Sequence, residues 1–513
     1  AASDVYKRQI IDFVLKAWYF VNSVILIYIN GGNKMKRIFA LLLTFALVIA
    51  LVGCGKPKRE VIQLTLSTED AEAILNAAGI YLPDAETVAC KDTVIRLYGY
   101  RNDLQNYSEQ EMLQTGYWTF KEKYGCDIEW IECTFGERWT TLANLLLADD
   151  VPDFYAAWAT DFPYYSIKGM FQPVDDIVDF DSAMWSDVKD VAEQFTLNGK
   201  HFVAPINFLP GSVITYDKSM IDAAGLDDPY ELYQNGEWDW NAWYDMMSEY
   251  VEGAAADEER YGVNGWFAPF IFQSTGKTLI TYDADKDEYV SNLNDADFVR
   301  ASDMLYDIAK NGMYYPDWVG QAGDAFKKNI LFYAMGPWAS TGTHSPKDGD
   351  NWGVVPMPKD PNSDTLYTTI DMNAYMWVKG STKNDAMKCW LECAKIVYTQ
   401  DTYKDIEKEK FFVNNPNWTE DMYNVAYVDL VTDKFTKIFD PGYGISTTLS
   451  DNDAATNDTK EAVIPYLYTS VMKTDENGSQ YTWTQLKEQY KGTVDSELKT
   501  LNDQYHAYLE KNK

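Results

Sequence analysis

Side chains that commonly carry out chemistry are scarce in this sequence or spaced wrongly for it. Three histidines in 513 residues leave little for histidine-based catalysis or for a histidine-rich metal site. The stretch 283–287 begins like a calcium-binding loop, but Glu288 stands where that loop needs glycine and Asn294 where it needs a bidentate glutamate. We therefore predict a polar hairpin at this stretch, and we expect no metal, no cofactor and no catalytic residue.

Cysteine is the other reactive residue type, and its spacing argues against a disulfide scaffold. One of the six cysteines, Cys54, closes an N-terminal apolar segment, and the other five cannot all pair with one another. These five contain no C-x-x-C motif; they are Cys90, Cys126, Cys133, Cys389 and Cys393. The last two lie one helical turn apart, a spacing that favours two packed thiols over a bridge or a metal site.

The segment before Cys54 has the pattern of an export signal. It starts at Met35, continues with two basic residues, and then has an apolar run over 38–50. This run is too short for a bilayer, which needs roughly 20 apolar residues, but it suits the core of a signal peptide. Because the run ends in Leu-Val-Gly-Cys54, which resembles a bacterial lipobox, we interpret 35–53 as a lipoprotein signal peptide and Cys54 as the lipidated residue.

The residues on either side of this signal are treated separately from the fold. Residues 1–34 are interpreted as upstream sequence that is non-native or disordered, although the apolar stretch 10–29 leaves a transmembrane helix as an alternative. Residues 54–91 are polar and mixed, which predicts a tether with a small extension.

Charge and composition exclude two broad classes of protein. With 44 Lys and Arg against 78 Asp and Glu, the net charge of −34 argues against nucleic acid, whose phosphates require clustered basic residues. A chain with 46% hydrophobic and 15% aromatic residues can bury enough surface to fold, which excludes intrinsic disorder. The length predicts two or more domains.

The order of predicted elements indicates an α/β fold. Strand-like runs occur at 93–98, 127–132 and 151–155, and apolar residues at helical spacing separate each run from the next. Strands that alternate with helices predict a parallel sheet. The same alternation starts again after 202. Helical spacing also predicts helices over 240–251, 298–310, 385–399 and 484–511.

Six short motifs occur in the order that one known family shows. They are VPDFYAAWATD (151–161), GMFQPVDDI (169–177), NGKHFVAPINF (198–208), ITYDKSMIDAAGL (214–226), FYAMGPWAST (332–341) and WGVVPMPKDP (352–361). Together with the lipobox they resemble the ABC-transporter extracellular solute-binding proteins of family 1, the carbohydrate-binding, maltose-binding-protein-like lipoproteins. The resemblance covers about 92–513.

This resemblance implies a two-lobe, periplasmic-binding-protein-like (type II) α/β fold with interlobe crossing strands and a ligand cleft. The expected domains are lobe 1 from 92–206 and 359–405, lobe 2 from 212–356 and 410–475, and a C-terminal helix over 480–513. Hinge motion is expected near 207–211 and 357–361.

The resemblance also implies which residues touch the ligand. A sugar has an apolar face of C–H groups, on which aromatic rings stack, and a rim of hydroxyls, which carboxylates, amides and arginine bind. Trp158 and Trp338 match the family's stacking tryptophans, and Asp161 matches its hydroxyl-binding carboxylate. The alternative is that Trp158 packs inside lobe 1 and Asp161 caps the next helix. The implied ligand-binding residues are Tyr100, Arg101, Asn102, Trp158, Asp161, Asn207, Trp266, Trp338, Asp371, Asn373 and Tyr443.

The function that follows from the resemblance is transport rather than catalysis. We expect an extracytoplasmic monomer, lipid-anchored to the outer face of the cytoplasmic membrane, that captures a carbohydrate and delivers it to ABC permease subunits. An oligosaccharide is the expected ligand. Two alternatives stay open: a binding protein for a non-sugar solute, such as a peptide or polyamine, and an extracellular glycoside hydrolase with paired carboxylates.

Overall fold

The protein is described here by a computed structural model that covers residues 72, 73, 76, 90, 93–100, 113–347, 351–450 and 462–511. The chain divides into two units, Ala1–Ile62 and Gln63–Lys513, and every described residue lies in the second.

The strands are β1 (Val94–Gly99), β2 (Asp127–Glu132), β3 (Phe154–Ala157), β4 (Phe171–Gln172), β5 (Thr196–Leu197), β6 (Lys200–His201), β7 (Ala204–Pro210), β8 (Val213–Asp217), β9 (Tyr261–Gly265), β10 (Ile280–Asp283), β11 (Glu288–Ser291), β12 (Ile330–Met335), β13 (Trp352–Pro356), β14 (Tyr367–Val378) and β15 (Thr436–Ile438).

The helices are α1 (Leu113–Tyr124), α2 (Arg138–Leu147), α3 (Tyr164–Ile167), α4 (Lys189–Ala192), α5 (Lys218–Ala224), α6 (Pro229–Asn235), α7 (Trp240–Glu252), α8 (Ala268–Gln273), α9 (Ala296–Lys310), α10 (Ala322–Phe326), α11 (Asn384–Thr399), α12 (Asp401–Asn414), α13 (Glu420–Tyr427), α14 (Thr447–Ser450), α15 (Val463–Ser470) and α16 (Trp483–Lys511). Short 3₁₀ turns occur at Ala159–Asp161, Glu193–Phe195, Pro337–Ser340, Gly342–His344, Asp429–Val431 and Pro441–Gly444.

Two separate sheets form the centres of the two lobes. The larger sheet has the order β15-β14-β3-β1-β2, with β4 and β7 also paired to β14. The smaller sheet has the order β13-β8-β12-β9. Helices pack against both sheets, so the predicted two-lobe α/β fold is confirmed.

The predicted parallel pairing holds for only part of each sheet. β1 runs parallel to both β2 and β3, and β9 runs parallel to β12. In contrast, β14 is antiparallel to β3 and β7, and β8 is antiparallel to β12 and β13. The antiparallel strands β8 and β14 are those that follow the connections between the two sheets, and β14 nevertheless pairs in parallel with β15.

The long helices form where apolar spacing and a capping residue coincide. The Asp295 carboxylate accepts a hydrogen bond from the Asp297 backbone N–H at 2.9 Å and so begins α9. The apolar residues that repeat at helical spacing in α9 are all buried: Phe298, Ala301, Leu305 and Ile308. The predicted helices over 240–251, 385–399 and 484–511 are likewise present as α7, α11 and α16. No helix in the described part of the chain is both long and apolar enough to cross a membrane.

The stretch that begins like a calcium loop is a hairpin, as predicted. β10 and β11 pair in antiparallel register, and the turn between them contains Asp287 in the left-handed region at φ 55°. The Asp283 carboxylate accepts bonds from the backbone N–H groups of Asp285 and Lys286 at 3.1 and 3.2 Å, so it closes the turn.

The chain crosses between the lobes where β7 meets the beginning of β14. Gly211 follows β7, and a Cβ at this position would lie 2.5 Å from the Thr369 carbonyl oxygen of β14. Only glycine therefore allows this approach of the two crossing strands.

Asp360 accepts hydrogen bonds from both terminal nitrogens of Arg300 at 2.7 and 2.6 Å, which holds the residues after β13 to α9. The second crossing therefore comes after 357–361, at the beginning of β14.

Candidate ligand-binding site

A cavity of about 350 Å³ lies between the two lobes. Its walls come from loops that follow β2, β3 and β9, from the crossing residues, and from the segment after β15. Strand ends of this kind are where α/β folds place ligands. The lining residues are Phe135, Arg138, Trp139, Trp158, Ala159, Thr160, Asp161, Tyr164, Tyr165, Gly211, Trp266, Pro269, Phe270, Gln273, Thr369, Ile370, Asp371, Phe439, Asp440, Tyr443, Gly444, Ser446, Thr447 and Ser450.

The first wall, formed by Trp158, Asp161 and Arg138, belongs to the lobe of the larger sheet. After β3 the chain makes a 3₁₀ turn, in which the Trp158 backbone N–H donates to Asp161 Oδ2 at 2.8 Å. Asp161 therefore closes its own turn and does not cap the next helix, α3, whose N-cap residue is Pro163; it also lines the cavity. Trp158 is half-buried and also lines the cavity, so it is not sealed inside the lobe.

Burial controls the charge of Asp161. Desolvation, with a smaller contribution from the nearby Asp371 carboxylate, raises the pKa of this carboxyl to about 6. Three interactions oppose this rise: the charge of Arg138, the Trp158 backbone N–H and the Tyr155 hydroxyl. A buried acid with an opposing cation and an adjacent acid is typical of a functional site.

Arg138 is placed by the first turn of α2. Its guanidinium carbon lies 3.8 Å from the centre of the Phe135 ring and 5.1 Å from that of Trp139, which is cation–π distance in both cases. The Tyr98 hydroxyl donates to the Arg138 carbonyl oxygen at 2.6 Å and fixes the backbone. A buried, preorganised guanidinium at a cavity wall can donate to ligand oxygens without reorganising.

Aromatic rings extend the first wall. The Trp158 ring centre lies 5.5 Å from Phe135, and Tyr100 lies 5.4 Å from Phe135 and 6.5 Å from Trp158. Trp139 stacks on Tyr165 with centres 3.7 Å apart and planes 19° apart. These contacts already hold the rings in place. A ligand that stacks on them would therefore cost little additional side-chain entropy.

The second wall, formed by Trp266, Gln273 and Asp440, packs on the lobe of the smaller sheet. The Trp266 backbone N–H donates to the Ala334 carbonyl oxygen at 2.8 Å, directly after Gly265. Gly265 has φ 105°, and a Cβ there would lie 2.0 Å from the same carbonyl oxygen, so glycine is required to aim Trp266.

Asp440 is the buried acid of the second wall. Desolvation raises its pKa to about 6, and the Tyr468 hydroxyl, the Gly442 backbone N–H and the Gln273 side chain oppose the rise. The Tyr468 hydroxyl donates at 2.5 Å and the Gly442 N–H at 2.9 Å. The Thr369 hydroxyl of β14 donates to Gln273 Oε1, so a hydrogen-bond chain joins the crossing strand to the second wall.

The two lobes touch at one side of the cavity. A Cβ on Gly444 would lie 1.6 Å from the Phe162 carbonyl oxygen, far inside any allowed contact. The 3₁₀ turn Pro441–Gly444 also packs against the turn Ala159–Asp161. Glycine at 444 therefore lets the segment after β15 approach the first lobe backbone to backbone.

Five of the predicted ligand residues line the cavity together; they are Trp158, Asp161, Trp266, Asp371 and Tyr443. Tyr100 lies beside them and packs on Trp158. Arg101, Asn102 and the predicted lipidation site Cys54 lie outside the described residues.

The remaining predicted residues lie away from the lining. Asn373 Nδ2 donates to Asn207 Oδ1 at 2.9 Å, across the paired strands β14 and β7. Trp338 is 52% exposed, and its ring packs edge-on to His344 at 6.1 Å. Trp338 is therefore not among the residues that line the cavity.

Sequence analysis does not predict several lining residues; they are Phe135, Arg138, Trp139, Tyr164, Tyr165, Gln273, Phe439 and Asp440. A signal existed for the first three, because they directly follow the predicted strand 127–132 and so fall at its carboxyl end. No local signal marks Gln273, which ends an apolar helix.

In the described residues, no group of three or more His, Cys, Asp or Glu side chains is arranged to hold a metal ion.

Comparisons with known proteins agree on the fold. A sequence profile of the family described as bacterial extracellular solute-binding protein matches residues 118–393. The fold is similar to that of the GacH receptor of Streptomyces glaucescens (TM-score 0.54, 15% identity, 79% of this chain and 98% of that chain). It is also similar to the substrate-binding protein Lmo0181 of Listeria monocytogenes (0.54, 15%, 79% and 99%) and to MalE of Xanthomonas citri (0.54, 15%, 82% and 100%).

No protein of curated function matches the chain significantly in sequence. The profile covers more than half of the chain, and its family consists of binding proteins that act outside the cytoplasm. The chain therefore belongs to the bacterial extracellular solute-binding proteins.

Proposed function

We propose that this protein captures a neutral carbohydrate, and in particular an oligosaccharide, in the interlobe cavity and delivers it unaltered to an ABC permease. The observation that carries this proposal is the composition of the two walls. Flat aromatic rings alternate there with single carboxylates, an amide and one guanidinium. Rings bind the C–H face of a sugar, and the polar groups bind its hydroxyl rim.

The stacking surface is shared by both lobes. Trp158 lies on the first wall and Trp266 on the second, and Tyr443 adds a third ring from the segment that touches both. A ligand that stacks on both walls contacts the two lobes at once. This is the differential contact that a ligand needs in order to favour a closed arrangement.

Charge in the cavity favours a neutral ligand. Asp161, Asp371 and Asp440 supply three carboxylates, whereas Arg138 is the cation that lines the cavity among the described residues. An acidic sugar would place its own carboxylate near these acids, which costs free energy in a partly desolvated site. A neutral polyhydroxyl compound instead satisfies both the acids and the arginine.

Three of the structural relatives support a carbohydrate. The GacH receptor is known in complex with acarbose, Lmo0181 in complex with cycloalternan, and MalE of Xanthomonas citri is a sugar-binding protein. At 15% identity these similarities concern the fold alone, so the walls of the cavity must supply the argument for the ligand.

The predicted domain boundaries suit this mechanism with two changes. We assign lobe 1 to 92–206 and 367–405 together with β15, which pairs with β14, and lobe 2 to 212–361 and the remainder of 410–475, with a C-terminal helix over 480–513. Hinge motion would occur at Gly211 and at the beginning of β14, where the crossing strands pack closely. Asn207, Asn373 and Trp338 would reach the ligand only if it extends beyond the cavity.

The cellular setting completes the proposal. Lipidation at Cys54 would hold the protein at the outer face of the cytoplasmic membrane, with 54–91 as the tether. As a monomer it would present both lobes to the permease subunits.

A ligand screen tests this function. The purified chain is heated with neutral mono- and oligosaccharides, with an acidic oligosaccharide, with a short peptide and with spermidine, and hits are measured by calorimetry. We expect one neutral saccharide to bind with micromolar affinity, about −8 kcal/mol, and to raise the melting temperature. At 100 times the Kd this stabilisation is about 2.7 kcal/mol.

Products are analysed in the same samples. Binding of spermidine or the peptide alone would contradict a carbohydrate ligand, and release of shorter saccharides would identify a glycoside hydrolase instead.

A further inference from the structure

Four buried cysteines meet under the larger sheet. Cys90 lies just before β1, Cys126 lies just before β2, and Cys389 and Cys393 lie one turn apart on α11. All four belong to one apolar cluster, at most 1% exposed. The predicted packing of Cys389 and Cys393 as buried thiols is confirmed. No disulfide is present among the described residues.

One pair in this cluster is close enough to react. The Sγ atoms of Cys90 and Cys389 lie 3.3 Å apart, although 299 positions separate the two residues in the sequence. A disulfide bond is about 2.05 Å long, so a shift of roughly 1 Å would join them. Cys126 is turned to another partner, because its thiol donates to the Cys90 carbonyl oxygen at 2.9 Å.

We propose that Cys90 and Cys389 form a disulfide bond in the exported protein. Proteins of this family act outside the cytoplasm, where disulfides form and persist. The oxidant is an external disulfide, R–S–S–R, either a small molecule or a thiol–disulfide oxidoreductase.

The reaction is two successive exchanges. The thiolate of one cysteine attacks R–S–S–R, forms a mixed disulfide and releases one R–SH after protonation. The thiolate of the other cysteine then attacks the protein sulfur of the mixed disulfide and releases the second R–SH. The two protein thiols are thereby oxidised, the external disulfide is reduced, and their two protons leave on the two R–SH products.

Burial determines when this exchange occurs. Desolvation and the adjacent Cys90 raise the pKa of the Cys389 thiol well above its usual range. Since the thiolate is the reactive form, the packed pair reacts slowly. The bond therefore forms before the residues around Cys90 pack, and once formed it is shielded from reductants.

The bond would fasten the residues just before β1 to α11. The Cys90 carbonyl oxygen accepts the Thr93 backbone N–H at 3.0 Å, and Lys383 Nζ donates to the Val94 carbonyl oxygen at 2.8 Å. A covalent link from Cys90 to α11 would add to these contacts at the point where the chain enters β1.

Peptide mapping tests the proposal directly. The full chain is exported from a bacterial host, its thiols are blocked with a maleimide at lysis, and it is digested without reductant. We expect the peptide with Cys90 to be linked to the peptide with Cys389, and Cys126, Cys133 and Cys393 to be blocked. Blocked Cys90 and Cys389, or a link between a different pair, would overturn the assignment.

Thermal melting supplies an independent readout. After the exported wild type is unfolded in denaturant with reductant and refolded with the reductant still present, it should melt about 5 °C below the oxidised protein, whereas the same treatment should not shift the melting temperature of Cys389→Ser. Cys133→Ser is the matched control, because Cys133 lies in a different apolar cluster and should keep the link and its response to reductant. If Cys389→Ser does not fold, the double variant Cys90→Ala/Cys389→Ala replaces it. A wild-type shift that also occurs in the variant would contradict the proposal.

Discussion

Each wall of the cavity contains a buried aspartate, and different kinds of groups offset the cost of burial in the two walls. Desolvation raises the pKa of each of these aspartates to about 6. On the first wall a cation, Arg138, offsets the burial of Asp161. On the second wall neutral donors do so, because Tyr468, Gly442 and Gln273 surround Asp440.

The difference suggests a division of roles. A carboxylate held by fixed neutral donors has its hydrogen-bonding capacity occupied by the protein, so its protonation state affects the stability of the wall more than it affects ligand binding. A carboxylate beside a guanidinium forms a polar pair that a ligand's hydroxyls can bridge. We therefore expect the first wall to determine affinity more than the second, and the second wall to determine stability more than the first.

The largest effect on ligand affinity should come from a substitution that keeps the two walls apart. Gly444→Ala places a methyl group 1.6 Å from the Phe162 carbonyl oxygen, so the lobes cannot meet as they do here. We expect about 100-fold weaker ligand binding in calorimetry, since such overpacking costs up to about 3 kcal/mol. Gly492→Ala is the matched control, because a Cβ there meets no other atom. Unchanged affinity in Gly444→Ala would show that binding does not require this contact.

The next largest effect should be the pH dependence of the unfolding free energy, which we attribute to Asp440. A carboxyl whose folded pKa is about 6 and whose unfolded pKa is about 3.9 holds more protons when folded, so it destabilises the fold as pH rises from about 4 to about 6. Relative to Asp440→Asn, the wild type should therefore lose about 2–3 kcal/mol of unfolding free energy between pH 4 and pH 7.

Urea unfolding at both pH values measures this difference. Asp401→Asn is the control, since the Asp401 side chain is 97% exposed. A difference between wild type and Asp440→Asn that does not change with pH would contradict the assigned pKa.

Removal of a stacking ring should have a somewhat smaller effect. We expect Trp158→Ala to weaken binding by about 30-fold, or about 2 kcal/mol, which is typical of a central aromatic contact. Trp266→Ala should lose less if the first wall dominates. Trp318→Ala, at an exposed ring, is the control. Trp338→Ala shows whether the ligand extends beyond the cavity, and equal affinity in all four variants would remove the stacking surface from the proposal.

The smallest effect should come from the cation itself. In Arg138→Met the pKa of Asp161 should rise further, because the opposing charge is lost, while Asp440 should be unaffected. Ligand affinity should fall by about tenfold at pH 7, or about 1.4 kcal/mol, and should begin to depend on pH between 6 and 8. Calorimetry across this range measures both changes. An unaltered pH profile would mean that Arg138 does not control Asp161.

Sequence patterns predict the elements that have local causes. Helices α7, α9, α11 and α16 lie where apolar residues repeat at helical spacing. The order of short motifs was sufficient to infer the two-lobe fold, and the motif at 151–161 named Trp158 and Asp161, both of which line the cavity. These features depend on residues near one another in the chain.

The antiparallel pairing of β8 and β14, the pairing of Asn207 with Asn373, and the exposed position of Trp338 were not predictable in this way. Each depends on which strands become neighbours after the chain has crossed between lobes. The periodicity of apolar residues does not indicate which strands become neighbours. It indicates which side chains are buried, but not which segment of the chain buries them.

The amino-acid sequence alone thus determined the class of protein and the positions of helices α7, α9, α11 and α16, and it named Trp158 and Asp161 as candidates for the site. Only the tertiary structure decided which side chains share a cavity. Arg138, Gln273 and Asp440 come from three distant segments, and their chemistry arises from mutual proximity and exclusion of water, which exist only once both lobes have packed.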